Sequence, residues 1–553
     1  MACPAEAPLD VFLFLLDDAR VDQLAYLPET TARLAPVAVE FERAYVTTPL
    51  CCPSRASLLS GGYTPSRAGV ITNLAPNGGA TVFDDGHTLA VRMAESGYAT
   101  ALYGKYLNDY GLLGQYVPPG WTDWAGVVDG VDWNTGSARA GQSAADAPGH
   151  TSEEPFGGYV TEWQVGKVQA FIEAHPSEPL FVHLSFLAPH SPHTPHISDV
   201  GRLAGELYRG GAFEEADLAD KPAWVQSLPL ATAQELAAFD VAVQERNESL
   251  YAVDRAIVAI IDAVEAAGRG ERAAFILASD NGMMWREHRL SGKGLPYEES
   301  VHVPLLVSVP GASPRVDDRL VAANLDLGAT VQELAGLDVE GDGQSLVPAL
   351  CDSGAPSRDH VAIQGWPAGS PPWAGVVTNT HKYVATATGE EEFYDLVTDP
   401  SESSSLHAEP EEAPRLAELA ALSEVERGVT VVTSLLPDAT RGEDYSAELV
   451  AWGGTEPYRW TVTRGELPGG VQLSETGAVV GTPTELGQHT FWVTVSDSSA
   501  SPFHGEPQHH EAPVTLVVAR ATPTEPAEDC GCGGVAALPV LLVFARRQKR
   551  HFL

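Results

Sequence analysis

Apolar and polar positions follow one another in blocks over most of the chain, and these blocks predict an α/β fold. Continuous apolar runs at 11–16, 180–186 and 273–278 have the length of strands buried on both faces. Before the last of these runs, apolar residues recur with helical spacing and predict a long amphipathic helix that ends at Gly268. Its apolar face comprises Leu250, Val253, Ile257, Ile260, Ile261 and Val264. Alternating strands and helices from residue 9 to about 426 predict an α/β sheet.

Two other stretches break this pattern. Residues 134–158 are rich in Gly, Ser, Ala and acids, and we expect a surface loop there. From 428 to 520 short strands alternate with Gly and Pro, as in the period-two run 491–495, which predicts an all-β sandwich of roughly 90 residues. This module resembles the immunoglobulin-like modules of bacterial surface proteins through Pro457-Tyr458-Arg459-Trp460 and the stretch 467–497. The resemblance implies an accessory role.

The two ends of the chain bear on its location. Residues 521–553 contain Cys530-Gly531-Cys532, an apolar run of about eleven residues and a basic end. The run is shorter than the roughly 20 residues that a membrane span needs. This order resembles the C-terminal sorting tails of myxobacterial surface proteins and implies sorting machinery as a partner; the alternative is a hydrophobic tail without that role. Met1 to Leu9 lacks the pattern of a signal peptide. We expect a missing upstream segment and export to the cell surface or beyond.

Composition limits the classes of partner. The 553 residues suffice for two or three domains, and the formal net charge is −41. Such an acidic chain argues against nucleic acid as a partner, and a polyanionic substrate would need a local cluster of cations. Six cysteines are too few and too scattered for a disulfide framework.

Two predicted strands end in oxygen-bearing side chains. Asp17 and Asp18 follow the first strand, and Asp280 and Asn281 follow the strand at 273–278. Adjacent carboxylates repel each other unless a cation lies between them, and ligands bind beyond the carboxyl ends of strands in α/β sheets. Oxygen ligands favour Ca²⁺ or Mg²⁺ over a zinc site. Either pair alone also fits a solvated loop or a helix cap.

Cys51 is the candidate nucleophile. A thiol before a helix, with Arg55 one turn along, allows a reactive cysteine; a pair of buried structural cysteines is the alternative. The run Cys51-Cys52-Pro53-Ser54-Arg55 contains the Cys-x-Pro-Ser-Arg signature and resembles the formylglycine-dependent sulfatase family, of the alkaline phosphatase superfamily. In that family the first cysteine of the signature is oxidised to formylglycine, which implies that Cys51 is modified and that a formylglycine-generating enzyme is a maturation partner.

The resemblance covers nearly all of residues 9–410, because further motifs follow in the family's order. They are Gly104-Lys105-Tyr106-Leu107-Asn108, Ala188-Pro189-His190-Ser191-Pro192-His193, Glu287-His288-Arg289-Leu290 through Lys293, 296–305, and Glu392 to Leu396 with Asp399-Pro400. They imply an alkaline phosphatase-like catalytic domain at 1–426, built on a large mixed, mostly parallel sheet flanked by helices. A small antiparallel C-terminal subdomain would span about 360–426. The β-sandwich then spans 428–520, and the linker and tail span 521–553.

The resemblance also implies roles. The metal ligands would be Asp17, Asp18, Asp280, Asn281 and modified Cys51; the other catalytic groups would be Arg55, Lys105, His190 and Lys293; substrate contacts would come from Asn108, His193 and His288. His190 or Lys293 would give the leaving oxygen its proton. The chain departs from many relatives at Leu107, where they carry histidine, and at His302, where close relatives often carry arginine.

These roles imply hydrolysis of a sulfate monoester, on a sulfated sugar or glycan of the N-acetylglucosamine-6-sulfatase type. Two alternatives remain open. One is a formylglycine-dependent phosphonate monoester or phosphodiester hydrolase with the same fold. The other is an inactive surface protein whose β module binds glycan, although an intact ligand set and signature argue against it.

Overall fold

The computed structural model describes residues 3, 8–64, 68–75, 77–367, 369–433, 435–498 and 509–520. The predicted tail at 521–553 lies outside the described residues.

One large sheet organises the first 322 residues. The strands are β1 (Asp10–Leu16), β2 (Ala38–Tyr45), β3 (Ala99–Lys105), β4 (Tyr116–Val117), β5 (Asp123–Val127), β6 (Ser137–Gln142), β7 (Gly149–Pro155), β8 (Leu180–Ser185), β9 (Ala273–Ser279), β10 (Met284–Trp285), β11 (Ser291–Gly292), β12 (Leu305–Ser308) and β13 (Arg315–Ala322). Eleven of them form a mixed sheet in the order β13-β2-β12-β9-β1-β8-β3-β5-β6-β7-β4, and β10 pairs with β11. The predicted class, a large mixed sheet flanked by helices, is confirmed.

Helices cover both faces of this sheet. They are α1 (Pro28–Leu34), α2 (Cys51–Ser60), α3 (Leu89–Glu95), α4 (Val160–Ala174), α5 (Ala223–Gln226), α6 (Ala233–Ala266), α7 (Glu298–Val301), α8 (Ala323–Leu334), α9 (Val347–Cys351) and α10 (Ala413–Glu426). Alternate residues of β1 enter two separate cores: Leu13 packs with the layer of α2, α3 and α8, and Phe12 with that of α1, α4 and α6. Every residue of β1 is buried, as its unbroken apolar run predicts.

The centre of the sheet is parallel. β1 pairs in parallel with β8 and β9, and β8 pairs in parallel with β3. The carboxyl ends of β9, β1, β8 and β3 therefore lie side by side at one edge. Antiparallel pairing occurs at β12 and in the hairpins beyond β5.

The prediction of a surface loop at 134–158 is wrong, because this stretch forms β6 and β7. Both strands are mostly polar, and their residues are mainly half-buried in β6 and exposed in β7, so they lack the apolar alternation by which strands are recognised. Backbone pairing of β6 to β5, and of β7 to β6, holds them in the sheet.

The long helix α6 begins far earlier than the apolar spacing predicts. Thr232 caps it: its Oγ1 accepts from the backbone of Glu235 at 3.2 Å, and the Glu235 carboxylate accepts from the backbone of Thr232 at 2.8 Å. The predicted apolar face is buried, and Gly268 follows the helix end with a left-handed φ of 71°.

Two smaller β units follow. The small subdomain is a four-stranded antiparallel sheet of β14 (Val361–Gly365), β15 (Trp373–Val377), β16 (His381–Thr386) and β17 (Glu391–Asp395), with α10 packed on it. The second unit comprises β18 (Thr430–Val431), β19 (Ala439–Thr440), β20 (Tyr445–Glu448), β21 (Ala451–Trp452), β22 (Arg459–Arg464), β23 (Val471–Leu473), β24 (Ala478–Gly481), β25 (Gly487–Ser496) and β26 (His509–Ala519). Its sheets enclose a core that includes Trp460, Phe491 and Val514, as expected for an immunoglobulin-like sandwich.

Cys3 and Cys351 form a disulfide that the cysteine count did not predict, because the two residues are 348 positions apart. Within the described ranges, no helix combines the length and apolar content needed to cross a membrane.

Gly104 is the position in β3 where a side chain is least tolerable. Its φ is +118°, and an added Cβ would lie 1.7 Å from the carbonyl oxygen of Ser185 on β8. We expect Gly104→Ala to destabilise the protein by about 3 kcal/mol or more, because both backbone strain and a backbone clash must be relieved. A lower urea midpoint would measure the loss.

Gly157→Ala is the matched control. Gly157 also has a positive φ, +69°, but an added Cβ would meet nothing within 4 Å. Strain alone should cost about 1 kcal/mol. Equal losses in the two variants would contradict the proposed clash with Ser185.

Candidate active site

Four oxygen-bearing side chains meet at the carboxyl edge of the sheet. Asp17 and Asp18 leave β1, and Asp280 and Asn281 leave the neighbouring β9. All four are at most 2% exposed. The backbone N–H of Asp18 donates to Asp280 at 3.0 Å, and the side-chain amide of Asn281 donates to Asp18 at 2.7 Å. The parallel pairing of β1 and β9 thus brings together side chains more than 260 residues apart in the sequence.

Cys51 completes this cluster as the first residue of α2. One ligand atom from each of Asp17, Asp18, Asp280 and Cys51 lies within 4.8 Å of the others. Burial raises the pKa of the Cys51 thiol well above its usual value, although Lys105 and Lys293 act in the opposite direction. The unmodified cysteine is therefore a neutral thiol at neutral pH.

Three cations oppose the three carboxylates. Lys105, the last residue of β3, donates to both oxygens of Asp17 at 2.8 and 2.6 Å. Arg55 donates from Nε to Asp280 at 2.7 Å. Lys293 follows β11; it pairs with Asp18 and donates to Cys51 Sγ at 2.7 Å.

These ion pairs set the charges of the carboxylates. Burial alone would raise the pKa of Asp17, but Lys105 and His190 more than offset it, and the pKa is lowered. At Asp18 burial would likewise raise the pKa, but Lys293 and His190 outweigh it and lower the pKa to about 2. At Asp280 burial prevails over Arg55, and the pKa is raised.

His190 lies at the open side of the cluster. Its side chain is 28% exposed and that of Lys293 is 13% exposed, whereas those of Arg55 and Asp17 are 1% exposed. The ring Nε2 lies 3.8 Å from Asp18, and Nδ1 lies 2.7 Å from the carbonyl oxygen of Ser191. A substrate can therefore enter past His190 and Lys293.

The other predicted site residues make different contacts. Asn108 lies 3.3 Å from the sulfur of Cys52 rather than on the carboxylate cluster. The His288 ring is buried against Tyr297 and bonds Glu215 at 2.6 Å, which gives it a structural role. His193 bonds the backbone of Pro189 and the side chain of Arg246.

The two departures from the family pattern are also explained by packing. Leu107 is buried in the apolar core. His302 stacks on Tyr45 and bonds the backbone oxygen of Glu42 at 2.7 Å, beside a separate cavity of about 490 Å³.

Sequence reasoning missed two polar residues of the site. Ser185 accepts from Arg55 Nη1 at 2.5 Å and holds the guanidinium in place. Arg246, on α6, contacts His193, and the charges of Asp18 and Asp17 act to raise its pKa. Neither residue stands in a motif, and only the pairing of β8 with β1 and the packing of α6 bring them here.

Three family models match successive regions of the chain. The family model described as "Sulfatase" matches residues 10–337, more than half of the chain. The model "N-sulphoglucosamine sulphohydrolase, C-terminal" matches 286–427, and "Putative Ig domain" matches 428–519. The chain belongs to the sulfatase family, whose members generally use a formylglycine and a divalent cation.

Individual relatives agree with this assignment. The Drosophila melanogaster "Extracellular sulfatase SULF-1 homolog" is 26% identical over 375 residues, covering 65% of this chain and 32% of that protein. Human "N-acetylglucosamine-6-sulfatase" is 28% identical over 367 residues, covering 62% of this chain and 64% of that protein. The chain thus spans less than two thirds of either relative. BT4656, solved with its substrate D-glucosamine-2-N,6-O-disulfate, shares the fold with a TM-score of 0.65 at 21% identity, over 76% of this chain and 97% of that one.

Proposed function

We propose that this chain hydrolyses sulfate monoesters, on a sulfated sugar or glycan, through a formylglycine formed from Cys51. The observation that carries the proposal is the position of Cys51 Sγ, which lies within the carboxylate cluster and accepts a hydrogen bond from Lys293. A nucleophile there can meet an anionic ester because cations flank it.

The residues around Cys51 fit a divalent cation. The amide nitrogen of Asn281 donates to Asp18 and to the carbonyl of Gly282 at 2.7 and 2.8 Å, which fixes the orientation of the amide. Its oxygen is buried without a hydrogen-bond partner among the described residues. That oxygen and the carboxylates of Asp17, Asp18 and Asp280 form a hard-oxygen set suited to Ca²⁺, with Mg²⁺ as the alternative.

The divalent cation and the formylglycine would supply complementary chemistry. A bound divalent cation lowers the pKa of the attacking hydroxyl. Modified Cys51 would supply two hydroxyls on one carbon, one to attack sulfur as the bond to the sugar oxygen breaks and one to lose its proton so that sulfate could leave and the aldehyde be restored.

Charged residues of the chain hold the ester. Lys105 and Lys293 face the site with pKa values raised, since Asp17 and Asp18 respectively outweigh the effect of burial, so both remain cationic. They bind the sulfate oxygens and balance the charge that develops on the leaving oxygen. Arg55, held by Asp280 and Ser185, orients the first turn of α2 around Cys51.

His190 is the group suited to exchange protons. The carbonyl of Ser191 accepts the hydrogen of Nδ1, so that Nε2 is left to face the cluster. The lysines are poor proton carriers near neutral pH because their pKa values are raised. We therefore assign proton transfer to and from the reacting oxygens to His190 rather than to Lys293.

The remaining assignments concern maturation and location. Oxidation of a thiol to an aldehyde needs a maturation partner, a formylglycine-generating enzyme. The Cys3–Cys351 disulfide and the extracellular relatives support export. The boundary between the proposed domains 1–426 and 428–520 is supported by family models that meet between 427 and 428. The segment 521–553 and sorting by this tail stay predictions.

Parallel assays of matched esters test the activity. Protein made with a formylglycine-generating enzyme should release sulfate from N-acetylglucosamine 6-sulfate with a higher kcat/KM than it releases phosphate from the 6-phosphate. The cationic cluster, balanced by three carboxylates, suits a singly charged sulfate ester better than a doubly charged phosphate. A higher kcat/KM on the phosphate, or on a phosphonate monoester, would refute the proposal.

A further inference from the structure

Among the described residues, Arg246 lacks the carboxylate partner that the other cations of the site have. It lies on α6, partly exposed, and forms no ion pair among the residues that the structure describes. Its Nη1 reaches the sulfur of Met283, and its Nη2 lies 3.1 Å from Nε2 of His193. By contrast, Arg255 on the same helix is paired with Asp199 at 2.6 Å.

Within the described ranges, Arg246 lacks a carboxylate partner in a strongly acidic chain. Acidic residues outnumber basic ones by 74 to 33, so a carboxylate partner would be easy to provide. Burial lowers the pKa of Arg246 to about 10, although Asp18 and Asp17 act in the opposite direction. A desolvated cation of this kind carries a free-energy cost that an anionic ligand would offset.

His193 orients this guanidinium. Arginine can only donate, so Nε2 of His193 accepts, and the ring proton must reside on Nδ1. Nδ1 then donates to the carbonyl of Pro189 at 3.1 Å. Burial and the charge of Arg246 lower the pKa of His193 to about 4, so the ring is neutral. His193 therefore serves as a positioning residue for Arg246, not as a second cation.

Arg246 makes different contacts from the three cations of the carboxylate cluster. Arg55, Lys105 and Lys293 each pair with a carboxylate of the cluster. Arg246 pairs with none of these carboxylates. It contacts His193, three residues beyond His190 on the open side of the cluster. Only two of its three nitrogens have contacts within the described ranges, and a guanidinium carries five N–H donors. Several donors are thus available to an incoming group.

We propose that Arg246 binds a second anionic group of the substrate, a sulfate on the same sugar as the scissile sulfate, and so selects multiply sulfated sugars. This inference rests on the proposed sulfatase function. A guanidinium that meets a sulfate forms parallel charge-assisted hydrogen bonds, which give direction as well as affinity.

Paired substrates test the subsite. Each pair shares a scissile 6-sulfate: N-acetylglucosamine 6-sulfate against glucosamine 2-N,6-O-disulfate, and glucosamine 6-sulfate against its 3,6- and 4,6-disulfates. The wild-type protein should favour at least one doubly sulfated sugar by about 10- to 100-fold in kcat/KM, the range expected for hydrogen bonds to a charged group. Arg246→Gln should reduce that ratio by about the same factor, and Arg246→Lys by less.

Two controls separate recognition from folding. Arg255→Gln, on the same helix, should keep the wild-type substrate ratio. Arg246→Gln should not lower the thermal midpoint, because it removes a desolvated charge without breaking an ion pair. A marked fall in that midpoint would assign Arg246 to stability and overturn the proposal.

The remaining outcomes also decide the question. Equal losses on singly and doubly sulfated sugars in Arg246→Gln would overturn the subsite, as would a wild-type protein without preference for any disulfate. In both cases the proposed sulfatase function would stand. A fully matured wild-type protein that cleaves none of these esters would refute the proposed function, and the subsite with it.

Discussion

Replacing Cys51 with serine is expected to abolish catalytic turnover of sulfate esters, by about four orders of magnitude or more. A serine offers one hydroxyl on its carbon, so it can attack sulfur but has no second hydroxyl with which to expel sulfate. The variant should therefore stop after one event with sulfate bound to Ser. Mass spectrometry of the peptide that spans position 51, with and without substrate, measures both the conversion of Cys51 in the wild type and the trapped sulfate in the variant.

Cys52 provides the matched control. It is an adjacent buried thiol whose sulfur accepts from the backbone of Asn108 at 3.0 Å, a bond that a serine hydroxyl can keep. Cys52→Ser should retain turnover within about tenfold, since Cys52 makes no contact with the carboxylates. Sulfate release by wild-type protein that carries only unmodified Cys51 would refute the formylglycine mechanism.

Long apolar runs made the core of the fold predictable. The stretches 11–16, 180–186 and 273–278 are strands because continuous apolar residues of that length can be buried on both faces. The hairpin of β6 and β7 was missed because these polar strands are held by backbone pairing, which leaves no apolar signal. The first half of α6 was missed for a related reason, since most of its side chains are exposed or only half-buried.

The site was predictable where chemistry and sheet topology coincide. Asp17 and Asp280 end apolar strands, and parallel strands meet at one edge, so their proximity follows from the pattern alone. Lys105 entered through resemblance and Arg55 through its position one turn after Cys51; the structure adds that they pair with Asp17 and Asp280, respectively. Arg246 could not be foreseen, because its role depends on tertiary contacts of α6 that no local spacing encodes.

The charge of the carboxylate cluster differs from that of the chain as a whole. Asp17, Asp18 and Asp280 are opposed by Arg55, Lys105 and Lys293, so the described cluster is close to neutral. A divalent cation added to a neutral cluster leaves positive charge to attract an anionic ester, although the chain as a whole carries −41. The local field therefore depends on the metal.

Replacing Asp280 with asparagine should remove the response of the protein to divalent cations. For wild-type protein treated with EDTA, Ca²⁺ at about 100 times its Kd should stabilise the fold by about 2.7 kcal/mol and raise the thermal midpoint. Asp280→Asn removes one charged ligand and should lose most of this rise, and sulfate release should fall by about 100-fold or more. Titration with Mg²⁺ under the same conditions identifies the preferred ion.

Asp22→Asn is the control for lost charge. Asp22 is a 44% exposed acid that pairs with Arg20 outside the cluster, so its variant should keep the full response to Ca²⁺. Asp280→Asn also leaves Arg55 without its closest carboxylate and should lower the midpoint before any cation is added. The informative quantity is thus the difference between midpoints with and without the cation. An unchanged difference in Asp280→Asn would exclude Asp280 from the ligand set, and a wild-type midpoint that neither ion raises would refute the proposed metal site.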